Sequence, residues 1–192
     1  EECAYDLAVS ASSWLMTDLD VDPENVGLLI YAGTPGTLAF QPAAAEWDTH
    51  AALRTTDRFK YPATRLAYEL GLPSASVLGL DQLACTTLFG ALRIARALCL
   101  TEGLDRALCV AADFFPAEAG REAIFNCTSD AACAVLLERV GARNRLAGSA
   151  HVTKGYYWDC DALRNEIVAS YFPTAKHVIE HEMFAKAMVN RM

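Results

Sequence analysis

The chain has 192 residues, 53% of them hydrophobic and 21% charged, which is enough to build one sizeable core and excludes a disordered polypeptide. Its 16 basic and 24 acidic side chains leave a net charge of −8, which argues against a general nucleic-acid binder. The longest apolar runs are too short to span a bilayer, and no secretory signal pattern opens the chain. Its seven cysteines (3, 85, 99, 109, 127, 133 and 160) form an odd set without a CxxC pair. That usage points to a reducing, cytoplasmic setting without disulfides or a zinc knuckle.

In chain order, Ala4, Leu7, Ala8, Ala11, Leu15 and Leu19 mark the apolar stripe of an opening helix. Residues 20–25 form a polar turn around Pro23, and Val26 to Ala32 is a continuous apolar run, as in a strand covered on both faces. Residues 33–60 are a long irregular segment of the kind that commonly carries function. Pro62 opens a short helix that runs through Leu70 and is closed by Gly71. Residues 74–85 read as an apolar strand delivering Cys85 to its C-terminal end, and Thr86 to Leu98 has helical spacing, with Gly103 as the stop. Arg106 to Ala112 and Ala131 to Leu137 are two further strands. Strands alternating with helices predict an α/β fold, a mostly parallel sheet covered by helices.

Cys85 is the candidate that carries most chemistry. A cysteine at a helix N-terminus meets unpaired N–H groups and the positive end of the macrodipole, both favouring the thiolate. A thiol pKa of about 8.5 falls by a unit or more in such a place. The same N–H groups can hold an oxyanion when the sulfur attacks a carbonyl. The competing reading is a buried structural thiol. A hydrolase elbow fits poorly, because Leu83 and Thr87 occupy positions where that turn needs small residues. His177, Glu180 and His181 match a zinc pattern but are better read as a solvated helix face, so no metal site is assigned. Asn126, Cys127 and Thr128 form a glycosylation sequon that means nothing without secretion. Arg54, Arg58, Lys60 and Arg65 make a basic patch beside the long loop, either ordinary surface charge or a dock for phosphate or an acidic partner.

Three segments together resemble the ketoacyl-acyl-carrier-protein synthase III branch of the thiolase superfamily. Tyr61-Pro62-Ala63-Thr64-Arg65-Leu66-Ala67-Tyr68-Glu69-Leu70-Gly71 resembles that family's aromatic-Pro helix. Leu83-Ala84-Cys85-Thr86-Thr87-Leu88-Phe89-Gly90-Ala91-Leu92 resembles its nucleophile segment. Ser129-Asp130-Ala131-Ala132-Cys133-Ala134-Val135-Leu136-Leu137 resembles its Gly-Asp-Gly-Ala-Gly-Ala strand with the glycines replaced. Order and spacing agree from about Glu2 to Thr174.

The resemblance implies a homodimeric acyltransferase with a thiolase-like layered fold, only part of which is present. Residues 1–153 would be the N-terminal half carrying the nucleophile, and 154–192 the start of the second half. Cys85 would take an acyl group from a coenzyme A or carrier-protein thioester, and a malonyl thioester would then be decarboxylated and condensed onto it. No cofactor is bound in such a scheme; coenzyme A or phosphopantetheine thioesters and an acyl carrier protein are the substrates and partners. Acyl transfer to an alcohol or amine and a silent partner subunit are the alternatives. A hydroxymethylglutaryl-coenzyme A synthase type would need a carboxylate near Cys85, for which Glu46 and Asp57 are candidates. None of His50, His151, His177 or His181 matches the catalytic His position. The catalytic His and Asn would lie in the second half-fold. The first strand of the family would precede Glu1 and is expected at the centre of the sheet. The Cys85 helix and the strand at Arg106 to Ala112 would form the dimer interface.

Overall fold

The structure is a computed structural model that describes residues 2–40, 60–81, 83, 86–114, 122–123, 126–127, 129–141 and 144–151. Its elements are α1 (Ala4–Asp18), β1 (Leu28–Tyr31), α2 (Pro62–Glu69), β2 (Ser76–Gly79), α3 (Thr87–Thr101), β3 (Arg106–Asp113), β4 (Glu122–Ala123), β5 (Asn126–Cys127) and β6 (Ala131–Glu138). Short 3-10 turns occupy Pro23–Asn25 and Gly36–Phe40. The chain divides into two units. The larger holds residues 1–119 and 129–147; the smaller holds 120–128 and 148–192, where β4 pairs antiparallel with β5.

The larger unit is built on a four-stranded sheet in the order β2-β1-β3-β6. β1 lies parallel to both β2 and β3, whereas β6 runs antiparallel to β3. The expected mixed, mostly parallel α/β sheet is therefore present. One expectation needs correction. The sheet does not lack a central strand: β1 hydrogen-bonds directly to β3, so a further strand can join only beyond β2 or β6.

Residue alternation sorts the core into two layers. Leu29, Tyr31, Leu108 and Val110 face α1 and α2, meeting Ala4, Tyr5, Ala8, Leu66 and Ala67. Leu28, Ile30, Ala107 and Cys109 face α3, meeting Ala91, Ala95 and Cys99. Leu28, Leu29 and Ile30 are fully buried, each contributing roughly 1.5–3 kcal/mol. The buried side of α3 (Thr87, Ala91, Ala95, Cys99) is a row of small residues at i, i+4, which lets the helix lie close to the sheet.

The α1 stripe is rotated from its expected position. Its buried residues are Ala4, Tyr5, Ala8, Ser12 and Met16, while Leu19 is 52% exposed. Ser12 is tolerated inside because its hydroxyl donates to the Ala8 carbonyl at 2.7 Å. At the helix start, the Cys3 backbone N–H and thiol both donate to one Asp6 carboxylate oxygen, at 3.0 and 3.1 Å.

Gly33 closes β1 against β3. A Cβ there would lie 2.3 Å from the Ala112 carbonyl oxygen, so only glycine fits. Thr34 then donates its N–H to Ala112 O (3.0 Å) and its hydroxyl to Asp113 (2.9 Å), tying the carboxyl ends of the two strands together.

Burial pushes the Cys109 thiol from 9.0 up to about 12. The folded state therefore holds this proton more tightly than the unfolded chain, and its contribution is complete below pH 9 and lost as pH rises toward 12. The gap corresponds to roughly 4 kcal/mol at most. Denaturant unfolding between pH 7 and 10.5 should show falling stability, with a shallower slope in Cys109→Ala; an unchanged slope would mean the thiol is not buried as described.

Candidate functional site

The carboxyl ends of β1 and β2 open onto a cleft of about 350 Å³ lined by Tyr31, Gly33, Pro35, Tyr61, Thr64 and Asp81, among others. Open α/β sheets bind ligands at this end of their strands. Tyr31 is 2% exposed, and its hydroxyl has no hydrogen-bond partner among the described residues. Burial, then the negative charge of Asp113, keep its proton on far above the usual phenol range.

Cys85 itself lies outside the described residues, as do Arg54, Arg58, Glu46, Asp57 and the His177–His181 pattern. The framework around Cys85 in sequence is described, and it departs from expectation. β2 ends at Gly79 rather than running on to the cysteine. Leu80 and Leu83 leave the sheet and lie against Gly90 in the opening turns of α3: a Cβ on Gly90 would fall 2.3 Å from Leu83 Cδ1 and 3.2 Å from Leu80 Cδ2. The helix begins where its spacing predicts, with Thr86 as N-cap. Thr86 does not cap it, however. Its hydroxyl donates to the Leu83 carbonyl at 2.7 Å, and its N–H donates to the same oxygen at 3.0 Å. The positive end of α3 is thus left without a side-chain cap from its own N-cap residue, one position after Cys85.

The described cysteine side chains are of two kinds. Burial raises the thiol pKa of Cys3, Cys99 and Cys109, with Asp6 adding to the effect at Cys3. These three are protonated, inert thiols at neutral pH. Cys133 is exposed on β6.

Of the basic patch, the structure brings Lys60 and Arg65 together on one ring. Lys60 Nζ lies 5.6 Å from the Phe40 ring centre and the Arg65 guanidinium 5.3 Å from it. Arg65 also stacks 5.0 Å over Tyr5 and pairs with Glu69 at 2.9 Å. Phe40 had no signal in the sequence, being 20 residues from Lys60; Gly90 had one, as a glycine interrupting a helical pattern.

No protein-family profile matches the sequence, and no curated protein does. Solved structures do. The chain is similar to 3-oxoacyl-[acyl-carrier-protein] synthase III from Aquifex aeolicus VF5, with TM-score 0.55 and 22% identity over 74% of this chain and 40% of that one. It is similar to AbyA1, a tetronic acid condensing enzyme, with TM-score 0.54 and 20% identity over 74% and 39%. It is similar to ChlB3, an acyltransferase, with TM-score 0.54 and 23% identity over 73% and 38%. The fold is accordingly thiolase-like, shared with these structures and present in part: the chain spans about two fifths of their length.

Leu80, Leu83 and Gly90 hold the turn that leads into the helix end. Gly90→Val should push that turn outward and slow modification of Cys85 by iodoacetamide at pH 7 by about tenfold, one pKa unit of lost thiolate. Modification of Cys133 is the internal control. Equal slowing at both would indicate general unfolding, and no slowing would separate the turn from the thiol.

Proposed function

We propose that this chain is an acyltransferase that forms a thioester between Cys85 and an acyl group delivered by coenzyme A or an acyl carrier protein. The observation that carries this reading is the start of α3, whose N-cap residue Thr86 follows Cys85 directly and gives no side-chain cap, within a synthase III-type fold. The helix end favours the thiolate, which attacks the thioester carbonyl carbon. The tetrahedral oxyanion is held by first-turn N–H groups, and its collapse expels the carrier thiolate and leaves acyl-Cys85. In the second stage a malonyl thioester loses carbon dioxide and its carbanion attacks the acyl-enzyme, releasing Cys85. The donors for that enolate are assigned to a His and an Asn of the second half-fold. Acyl transfer to an alcohol or amine shares the first stage, and a silent partner subunit would share neither.

Similarity to a synthase III, a condensing enzyme and an acyltransferase supports the first stage more than any one outcome of the second. The cleft at the carboxyl ends of β1 and β2 is the described space that we assign to the substrate; Leu80 and Asp81 on its wall precede Cys85 by five and four positions. A homodimer is part of the proposal. β2 is an edge strand with mostly exposed residues, and Leu78 (40%) and Phe89 on α3 (70%) offer apolar surface beside it. No described helix is long and apolar enough to cross a membrane. A reducing cytoplasm suits a nucleophilic thiol.

Intact-protein mass spectrometry after mixing with a panel of acyl thioesters tests the proposal. One acyl mass should be gained, mapped to Cys85 and lost in Cys85→Ala, with the fold intact. Acylation at Cys99, Cys109 or Cys133 would overturn it.

Lys60 and Arg65 are proposed, with Arg54 and Arg58, to attract the phosphate of the carrier arm or an acidic carrier protein. The double variant Lys60→Glu, Arg65→Glu should slow acylation from a carrier protein about tenfold at low salt and progressively less as salt rises. A rate independent of both substitution and salt would reduce the patch to ordinary surface.

A further inference from the structure

The cleft at the carboxyl ends of β1 and β2 is acidic. Among the described residues that line it, four have polar side chains: Tyr31, Tyr61, Thr64 and Asp81. Asp81 supplies the one carboxylate of this set, and no basic side chain belongs to it. It is exposed and makes no ion pair among the described residues.

The cations nearest to the cleft in sequence are engaged elsewhere. Lys60 and Arg65 bracket the start of α2, which forms one wall, yet neither is among its lining residues. Their charged ends rest on Phe40, 5.6 and 5.3 Å from the ring centre, and Arg65 is also paired with Glu69. The start of α2 is itself positive, since Tyr61 gives no side-chain cap, but a helix end amounts to roughly half an elementary charge. The full charge of Asp81 is larger. Asp113, held by the Thr34 hydroxyl at 2.9 Å, adds negative potential at Tyr31 on the cleft wall. Tyr31 stays neutral there, its hydroxyl without a partner among the described residues.

We infer that Asp81 selects the acyl group: the cleft takes a short acyl chain that ends in an ammonium group and disfavours one that ends in a carboxylate. The inference rests on the proposed acyl transfer to Cys85 and names the substrate class. The ammonium pairs with the Asp81 carboxylate, and the ring of Tyr61 adds attraction for a cation. Pro35, Val77 and Leu80 give apolar surface for the methylene groups between. Asp81 stands four positions before Cys85, at most about 14 Å of extended chain, and the turn closed by the Thr86 N–H on the Leu83 carbonyl shortens that path. One short chain can therefore engage both. The carboxylate of a malonyl thioester is repelled here, which assigns the cleft to the substrate of the first stage.

The test compares butyryl-, β-alanyl- and succinyl-coenzyme A, which share a chain and differ in its last group. Each is mixed with the full 192-residue chain, and the rate of acyl mass gain at Cys85 is followed. The β-alanyl thioester should react about tenfold faster than the butyryl, and the succinyl about tenfold slower. Salt should narrow that spread. Asp81→Asn should bring the three rates within about twofold of one another, while Asp81→Glu should keep their order. Equal rates in the unsubstituted chain, or an order that survives Asp81→Asn, would overturn this inference and leave the acyl-transfer reading standing. Acylation by none of the three would overturn that reading and this inference with it.

Discussion

The double pairing of β1 is the constraint on which the rest of this structure depends. Four residues, Leu28 to Tyr31, hydrogen-bond to β2 on one side and β3 on the other, and all four are buried. Every side chain of β1 must therefore find a helix on one face or the other. α1 and α2 cover one side and α3 the other, and the small residues of α3 let it approach closely enough to do so. That approach fixes where α3 starts. The proposed role of Cys85 draws on the N–H groups at that helix start.

How much of this was legible depended on how each element is covered. β1 and β3 are apolar at nearly every position because both of their faces are packed, so they could be read directly as buried strands. β2 is an exposed edge, and its apolar pattern was misread as continuing to Cys85. Leu80 and Leu83 are apolar for a different reason, packing on Gly90 after the chain has left the sheet. A run of apolar residues records burial without saying against what. The order of strands is a tertiary outcome, and the expected gap at the centre of the sheet followed from analogy, not from any residue.

The candidate site divides in the same way. The start of α3 was visible because a helix start is a local signal. The meeting of Lys60 and Arg65 on Phe40 was not, since it joins residues far apart in sequence through the packing of α2 on α1.

The central claim is that the helix end converts Cys85 into a thiolate at neutral pH, whereas burial keeps Cys3, Cys99 and Cys109 protonated. The most direct test is the rate of Cys85 alkylation as a function of pH, followed peptide by peptide. The account predicts a midpoint at least about one unit below the ordinary thiol value of about 8.5. A midpoint at or above that value would contradict it.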